Sequence, residues 1–244
     1  VSAEGDVYRE LQKHLDNMPV GFPATESGVE IKLLKHLFTP EEAEIALYLS
    51  AIPEPLERIH RRIRKDRDIS IEELERMLDR MVEKGAIMGG KLASKGRAGK
   101  FYSKAQLAIG MYEFQIDKLT KEFAQDFKQY LEEAFAEELF SGKTFQMRTI
   151  PINKSIRPDL YVATYDDVRQ LVQNSKGPFA VFNCICRQTM DKLGQPCKRT
   201  DIRETCIGFQ EVAQFSIDMG GGREINKEET LNLLERAEEV GLAP

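Results

Sequence analysis

The stretch Ser70-Ile71-Glu72-Glu73-Leu74-Glu75-Arg76-Met77-Leu78-Asp79-Arg80-Met81-Val82-Glu83-Lys84-Gly85 decides how the N-terminal half is read. Ser70 with Glu73 three residues on is a capping box, in which each side chain satisfies a free backbone N–H at the helix start. Leu74, Met77, Leu78 and Met81 recur at helical spacing and predict one buried stripe. Gly85 ends the helix, because a terminating residue takes up the left-handed conformation most cheaply without a Cβ. Directly after it, Ala86 to Met88 and Lys100 to Ser103 read as two strands, and the loop between them, Gly89 to Gly99, is rich in Gly, Lys and Arg. Working back, Val29 to Phe38 predicts a helix through Ile31, Leu34 and Leu37. Thr39-Pro40-Glu41-Glu42 starts another, with a capping hydroxyl, a proline that gives up nothing at the first helical position, and a glutamate able to reach back. Pro53 and Pro55 separate it from Leu56 to Ile63. Short helices followed by two strands around a basic loop make residues 29–105 a winged helix-turn-helix-like domain.

Outward from that domain, residues 1–28 read as an N-terminal arm, with Val7, Leu11 and Leu15 at helical spacing before Pro19, Gly21, Pro23 and Gly28 interrupt it. Residues 106–140 read as one long connecting helix, since Phe114, Leu119, Phe123, Phe127, Leu131, Phe135 and Leu139 recur every four or five residues. Residues 141–244 read as an α/β Cys-containing domain. In it, Met147 to Ile152 alternates like a strand, Thr164 caps a helix with Asp167, Phe179 to Cys184 is a short apolar strand, and Glu204 to Met219 is mostly helical. Gly220-Gly221-Gly222 is a turn, and Asn226 with Glu229 caps a last helix. The fold class is therefore a mixed α+β or α/β one: a helical winged-helix-like half joined by a long helix to a smaller α/β half.

Composition narrows the function. The chain has 244 residues, of which 41% are hydrophobic and 31% charged, enough to bury a core without staples. No apolar run reaches the roughly 18 residues of a membrane-spanning helix, and Val1 to Glu10 has neither the basic start nor the apolar stretch of a secretory leader. The expectation is a cytoplasmic protein with no membrane partner. Across residues 29–105 there are 16 Lys and Arg against 13 Asp and Glu, within a chain of net charge -5. Arg61, Arg62, Arg64 and Lys65, with Lys95 and Arg97 in the wing, could form a phosphate footprint. The would-be reader helix argues against that use: Glu72, Glu73, Glu75, Asp79 and Glu83 outnumber Arg76, Arg80 and Lys84, and an acidic helix repels the duplex. A structural role or docking to a partner protein is the better use of such a domain.

All four cysteines lie between Cys184 and Cys206, as Cys184-Ile185-Cys186, then Cys197, then Cys206. None of the three histidines lies near them in sequence, and there is no G-x-S-x-G, P-loop or H-E-x-x-H pattern, so the residues offer little to hydrolytic catalysis. In an extended segment, Cys184 and Cys186 would point to one face. Cys197 comes after a Gly/Pro loop, and Cys206 would sit near a helix start, where free N–H groups favour thiolate. Arg187, Lys192, Lys198, Arg199 and Arg203 surround them and would offset an anionic centre. Four clustered cysteines in a reducing compartment favour metal binding over disulfides. The spacing has neither the paired short knuckles of zinc sites nor the repeated C-x2-C of ferredoxins, so iron–sulfur and zinc both stand on spacing alone.

Leu37-Phe38-Thr39-Pro40-Glu41-Glu42-Ala43-Glu44, Tyr112-Glu113-Phe114-Gln115 and Cys184-Ile185-Cys186-Arg187, in that order, resemble a family of anaerobic bacterial and archaeal 4Fe-4S ferredoxin-type iron–sulfur-binding proteins. The resemblance runs from about Val7 to Leu242. It implies electron-transfer or redox work rather than a stand-alone enzyme. It also implies a 4Fe-4S cluster on Cys184, Cys186, Cys197 and Cys206, a redox partner protein, and a further ferredoxin-like segment of the same polypeptide beyond Pro244.

Overall fold

In the computed structural model, residues 3–91, 99–141, 168–218 and 220–242 are described. The described residues mix helices with two three-stranded antiparallel sheets, and the chain divides into two units, one of residues 1–115 and 120–144, the other of residues 116–119 and 145–244.

The first unit is built from α1 (Ala3–Asp16), α2 (Val29–Leu37), α3 (Pro40–Ala46), β1 (Glu54–Pro55), α4 (Leu56–Ile63), α5 (Ile71–Glu83), β2 (Ile87–Lys91) and β3 (Lys100–Lys104). It ends in a helix of three parts: α6 (Lys121–Tyr130), one wider turn (Leu131–Phe135) and α7 (Ala136–Ser141). The local signals act as read, except that, among the described residues, Glu73 returns no side-chain bond to the Ser70 N–H. Thr39 and Glu42 form a reciprocal capping box on α3 with Pro40 at its first position. Ser70 accepts from the Glu73 N–H on α5, and Leu74, Met77, Leu78 and Met81 are buried. The sheet order is β1-β3-β2, with Glu54 opposite Tyr102 and Ile87 opposite Lys104.

The helix expected over residues 106–140 starts only at Lys121, capped by Thr120, whose side chain accepts from the Phe123 N–H. Before it, Leu107–Met111 is a turn with extended backbone at Ala108 and Ile109, and Glu113–Gln115 makes a single tight turn. The aromatic stripe is core of the first unit. Phe123, Phe127, Tyr130 and Phe135 are buried, Tyr112 stacks on Phe127 with ring centroids 3.6 Å apart, and α6 packs against α2 within the first unit.

Gly85 is the position where this unit most needs a glycine. Its φ is +75°, and a Cβ there would lie 2.5 Å from Phe114 Cβ and 2.9 Å from the Phe114 carbonyl oxygen. Gly28 has a similar φ of +69° with open space around it. Gly85→Ala is therefore expected to lower the unfolding free energy by about 2 kcal/mol or more, and Gly28→Ala by about 1 kcal/mol. Denaturant unfolding of the two variants side by side checks this; equal losses would mean the Phe114 contact relaxes freely.

The second unit is built from α8 (Val168–Asn174), β4 (Phe179–Asn183), α9 (Ile185–Lys192), β5 (Glu204–Phe209), α10 (Gln210–Asp218), β6 (Arg223–Ile225) and α11 (Lys227–Glu239). β4 is central, between β5 and β6. Val172, Phe179, Val181, Ile225 and Leu234 form its core, with Ile207 and Phe209 packed against them. Asn226 and Glu229 cap α11 reciprocally. The strand expected at Met147 to Ile152 and the Thr164 cap fall outside the described residues.

Two boundaries differ from expectation, and both move cysteines. The segment from Glu204 is a strand up to Phe209, not helix. Pairing with β4 buries part of Ile207 and Phe209 on the core face, which a solvent-side helix could not do. The apolar strand stops at Asn183, one residue early. Cys184 has extended backbone and caps α9, whose Ile185 and Thr189 are buried.

Candidate metal centre

The cysteines are carried by the end of β4, the start of α9, the loop after it and β5. Cys184 is the N-cap of α9 and Cys186 lies in that helix's first turn. Cys206 lies on β5, opposite Phe182 of β4, and the register slips between Phe182 and Asn183, so that Asn183 faces Glu204. Such a bulge bends the strand and re-aims the residues beyond it. The Cys184 N–H donates to the Arg203 carbonyl at 2.8 Å, which ties the α9 cap to the approach of β5. Cys197 comes from the loop between α9 and β5. All four are thiols, with Cys186 exposed and the other three partly buried.

The sulfurs interact. Hydrogen bonds from the Cys186 and Cys206 thiols, partly offset by burial and helped by the Arg187 N–H and guanidinium, hold the Cys184 thiol far below the ordinary cysteine range. The same Cys184 sulfur, with burial, pushes the Cys206 thiol up. Backbone N–H groups of Arg199 and Thr200 lower the Cys197 thiol, and Arg187 adds to the effect. N–H···S bonds of this kind stabilise anionic sulfur, as they do around thiolate-bound metals.

Arg187 is the hub. Its guanidinium donates to the Ile202 carbonyl at 3.1 Å and to Thr205 Oγ1 at 2.7 Å, and it acts electrostatically on Cys184, Cys197 and Cys206. The other expected cations differ among themselves. Arg203 forms a two-pronged pair with Asp191, at 2.7 and 2.9 Å, while still lying within electrostatic reach of Cys197. Arg199 contributes its backbone N–H, and Lys192 and Lys198 are exposed.

Does a metal group fit? The donor set fits in kind: four thiols, two of them accepting backbone N–H bonds and three of them within reach of the Arg187 charge. The spatial arrangement is looser, because among the described residues no three His, Cys, Asp or Glu side chains converge as a ready metal cage. The pairwise thiol contacts centred on Cys184 are nonetheless present.

Three polar residues that spacing did not flag frame this site: Asp117, Asn183 and Gln188. Asp117 accepts at Oδ1 from Asn183 Nδ2 at 2.9 Å and from Gln188 Nε2 at 2.5 Å. A separation of 66 residues hides that pairing from any local pattern.

The basic residues of the first unit are only partly available. Arg62 donates to the Tyr48 carbonyl and pairs with Glu54, and Arg58 also holds Glu54. Arg61, Arg64 and Lys65 are exposed on and just after α4, around a shallow depression that includes Glu57 and His60. Lys95 and Arg97 lie outside the described residues. On α5, Glu75 and Asp79 are engaged by Lys100. Among the described residues, no helix is long and apolar enough to cross a membrane.

Comparisons with protein-family models, with curated proteins and with solved structures found no match.

Proposed function

We propose that the second unit is a cysteine-ligated centre of the iron–sulfur type, serving one-electron transfer. The observation that carries this reading is the contact of Cys184 with the Cys186 and Cys206 thiols, with Arg187 acting on Cys184, Cys197 and Cys206 and backbone N–H groups on the sulfurs of Cys184 and Cys197. The resemblance through Cys184-Ile185-Cys186-Arg187 supports a 4Fe-4S cluster over zinc. Cys184, Cys186, Cys197 and Cys206 would hold the cluster, which supplies one-electron chemistry when bound. The chain's own work is to gather the thiolates, neutralise them through Arg187, and donate hydrogen bonds to sulfur, the last two of which raise a reduction potential. A redox partner protein, or a further ferredoxin-like segment of the polypeptide, would exchange the electron.

The test is iron, zinc and acid-labile sulfide per chain, in protein purified without oxygen or added metal. Iron and sulfide in near-equal amounts, lost in Cys186→Ala, are expected. Stoichiometric zinc without iron would overturn the iron–sulfur assignment.

A second reading concerns the first unit. The order α3-β1-α4-α5-β2-β3 with sheet order β1-β3-β2 supports a winged-helix domain. With zinc at the cysteines, the chain would be a DNA- or protein-binding regulator. Of the two ligands, protein is favoured: Arg62 is engaged by Glu54, and α5 exposes Glu72, Glu73 and Glu83 among its cations. Binding that weakens steeply with salt would favour DNA instead.

A further inference from the structure

We propose that Asp117 is a positioning residue for the cysteine centre, clamping both ends of the turn that carries Cys184 and Cys186. The metal arm of this inference rests on the reading above; the clamp itself does not.

Asp117 sits at φ +63°, a left-handed conformation that among side-chain-bearing residues Asp and Asn tolerate best. That conformation lets one residue present two groups to α9. Its N–H donates to Gln188 Oε1 at 3.1 Å, and its Oδ1 accepts from Gln188 Nε2 at 2.5 Å. The same oxygen accepts from Asn183 Nδ2 at 2.9 Å. Asn183 is the residue just before Cys184, at the slip in register that ends β4. Gln188 is one helical turn after Cys184, and its N–H donates to the Cys184 carbonyl at 3.0 Å. Asp117 thus holds the residues on both sides of Cys184-Ile185-Cys186. A carboxylate acceptor makes these bonds stronger than neutral ones.

The geometry separates charge from grip. Asparagine offers one carbonyl oxygen able to accept both bonds, and it tolerates the same φ, so Asp117→Asn keeps the clamp and loses the charge. Asp117→Ala loses both side-chain bonds and keeps only the N–H bond to Gln188. Gln188→Ala removes the helix side of the clamp and leaves the Asp117 backbone unstrained.

The experiment uses the full chain, reduced and kept without oxygen. Amide hydrogen exchange across residues 184–188 is measured first, without metal. About tenfold faster exchange is expected in Asp117→Ala and in Gln188→Ala, with near-native exchange in Asp117→Asn and unchanged protection in α5. Cobalt(II) is then titrated while the thiolate-to-cobalt absorption band is followed. Asp117→Ala is expected to bind 10- to 100-fold more weakly, with a shifted spectrum, and Asp117→Asn to restore both. Unchanged exchange in both alanine variants would overturn the clamp, and so would a band in Asp117→Ala of native affinity and shape. No cobalt band in the wild type, with exchange still responding, would overturn the metal reading and leave the clamp standing.

Discussion

Arg9→Met is expected to lower the unfolding free energy of the first unit by about 3 kcal/mol, with Glu30→Gln in the same chain recovering part of that loss. Glu30 lies in the first turn of α2 and its side chain has no exposed surface, whereas that of Arg9 is 36% exposed. Arg9 Nη2 lies 2.9 Å from Glu30 Oε1, and Thr25 Oγ1 donates to Oε2. Oε1 has no further hydrogen-bond partner within the described residues. Remove Arg9, and a fully buried carboxylate keeps one hydroxyl and the helix N-terminus as its only compensation. Breaking a buried pair from one side costs about 3–5 kcal/mol, because the surviving charge stays dehydrated. The lower end applies here, since water reaches the Arg9 side of the pair. Glutamine fills the same volume and still accepts from Thr25, but carries no charge to strand. The measurement is a double-mutant cycle by denaturant unfolding. If Arg9→Met cost under 1 kcal/mol, the pair would be acting like a surface bridge.

Glu30 also shows where sequence reading stopped. Helix existence was legible along most of the first unit, because caps and apolar spacing are local signals: Thr39 with Glu42 and Leu74 to Met81 act as their spacing says, and Ser70 caps α5 though Glu73 does not return the bond. Long-range pairing leaves no such mark. Nothing near Glu30 in sequence announces that its partner is Arg9, and Thr25 is an ordinary loop residue. The 106–140 stretch misled for a related reason. Its aromatic spacing is satisfied equally by one long helix and by a turn plus a shorter helix. The deciding residues were Thr120, able to cap, and Gly110 and Asp117, poorly suited to a helix interior. At the cysteines, residue choice was legible and local structure was not. Thr205-Cys206-Ile207-Gly208-Phe209 carries strand character, but its two-residue alternation is short. Only pairing with β4 settles it as strand. The correction changes the chemistry: Cys206 is placed by a strand opposite Phe182, and the helix N-terminus in the group belongs to Cys184.

Raising the pH from 5 to 8 is expected to weaken the wild-type first unit relative to Glu113→Gln by about 2 kcal/mol. Glu113 lies in the turn that replaced the start of the expected long helix. Burial pushes its carboxyl up to about 7, against the backbone N–H groups of Gly110 and of Glu113 itself, which favour the charged form. The Gly110 N–H donates to Oε2 at 2.6 Å. In the unfolded chain the group titrates near 4.5. Between those values the native state holds a proton that the unfolded state has released, so stability falls as pH rises through the interval and levels off above about 7. At about 1.4 kcal/mol per pH unit the interval sets a ceiling of about 3 kcal/mol, and the partial exposure of Glu113 lowers it to about 2. His14 acts with the opposite sign in the same range. Burial and the Lys104 charge lower its ring below 6.5, so its contribution is lost as pH falls and must be removed by comparing the two proteins at each pH. Glutamine keeps an acceptor for the Gly110 N–H and has no proton to release, so the difference between the unfolding curves isolates Glu113. A difference that is flat from pH 5 to 8 would mean that water reaches the carboxylate freely and that the turn does not depend on its protonation.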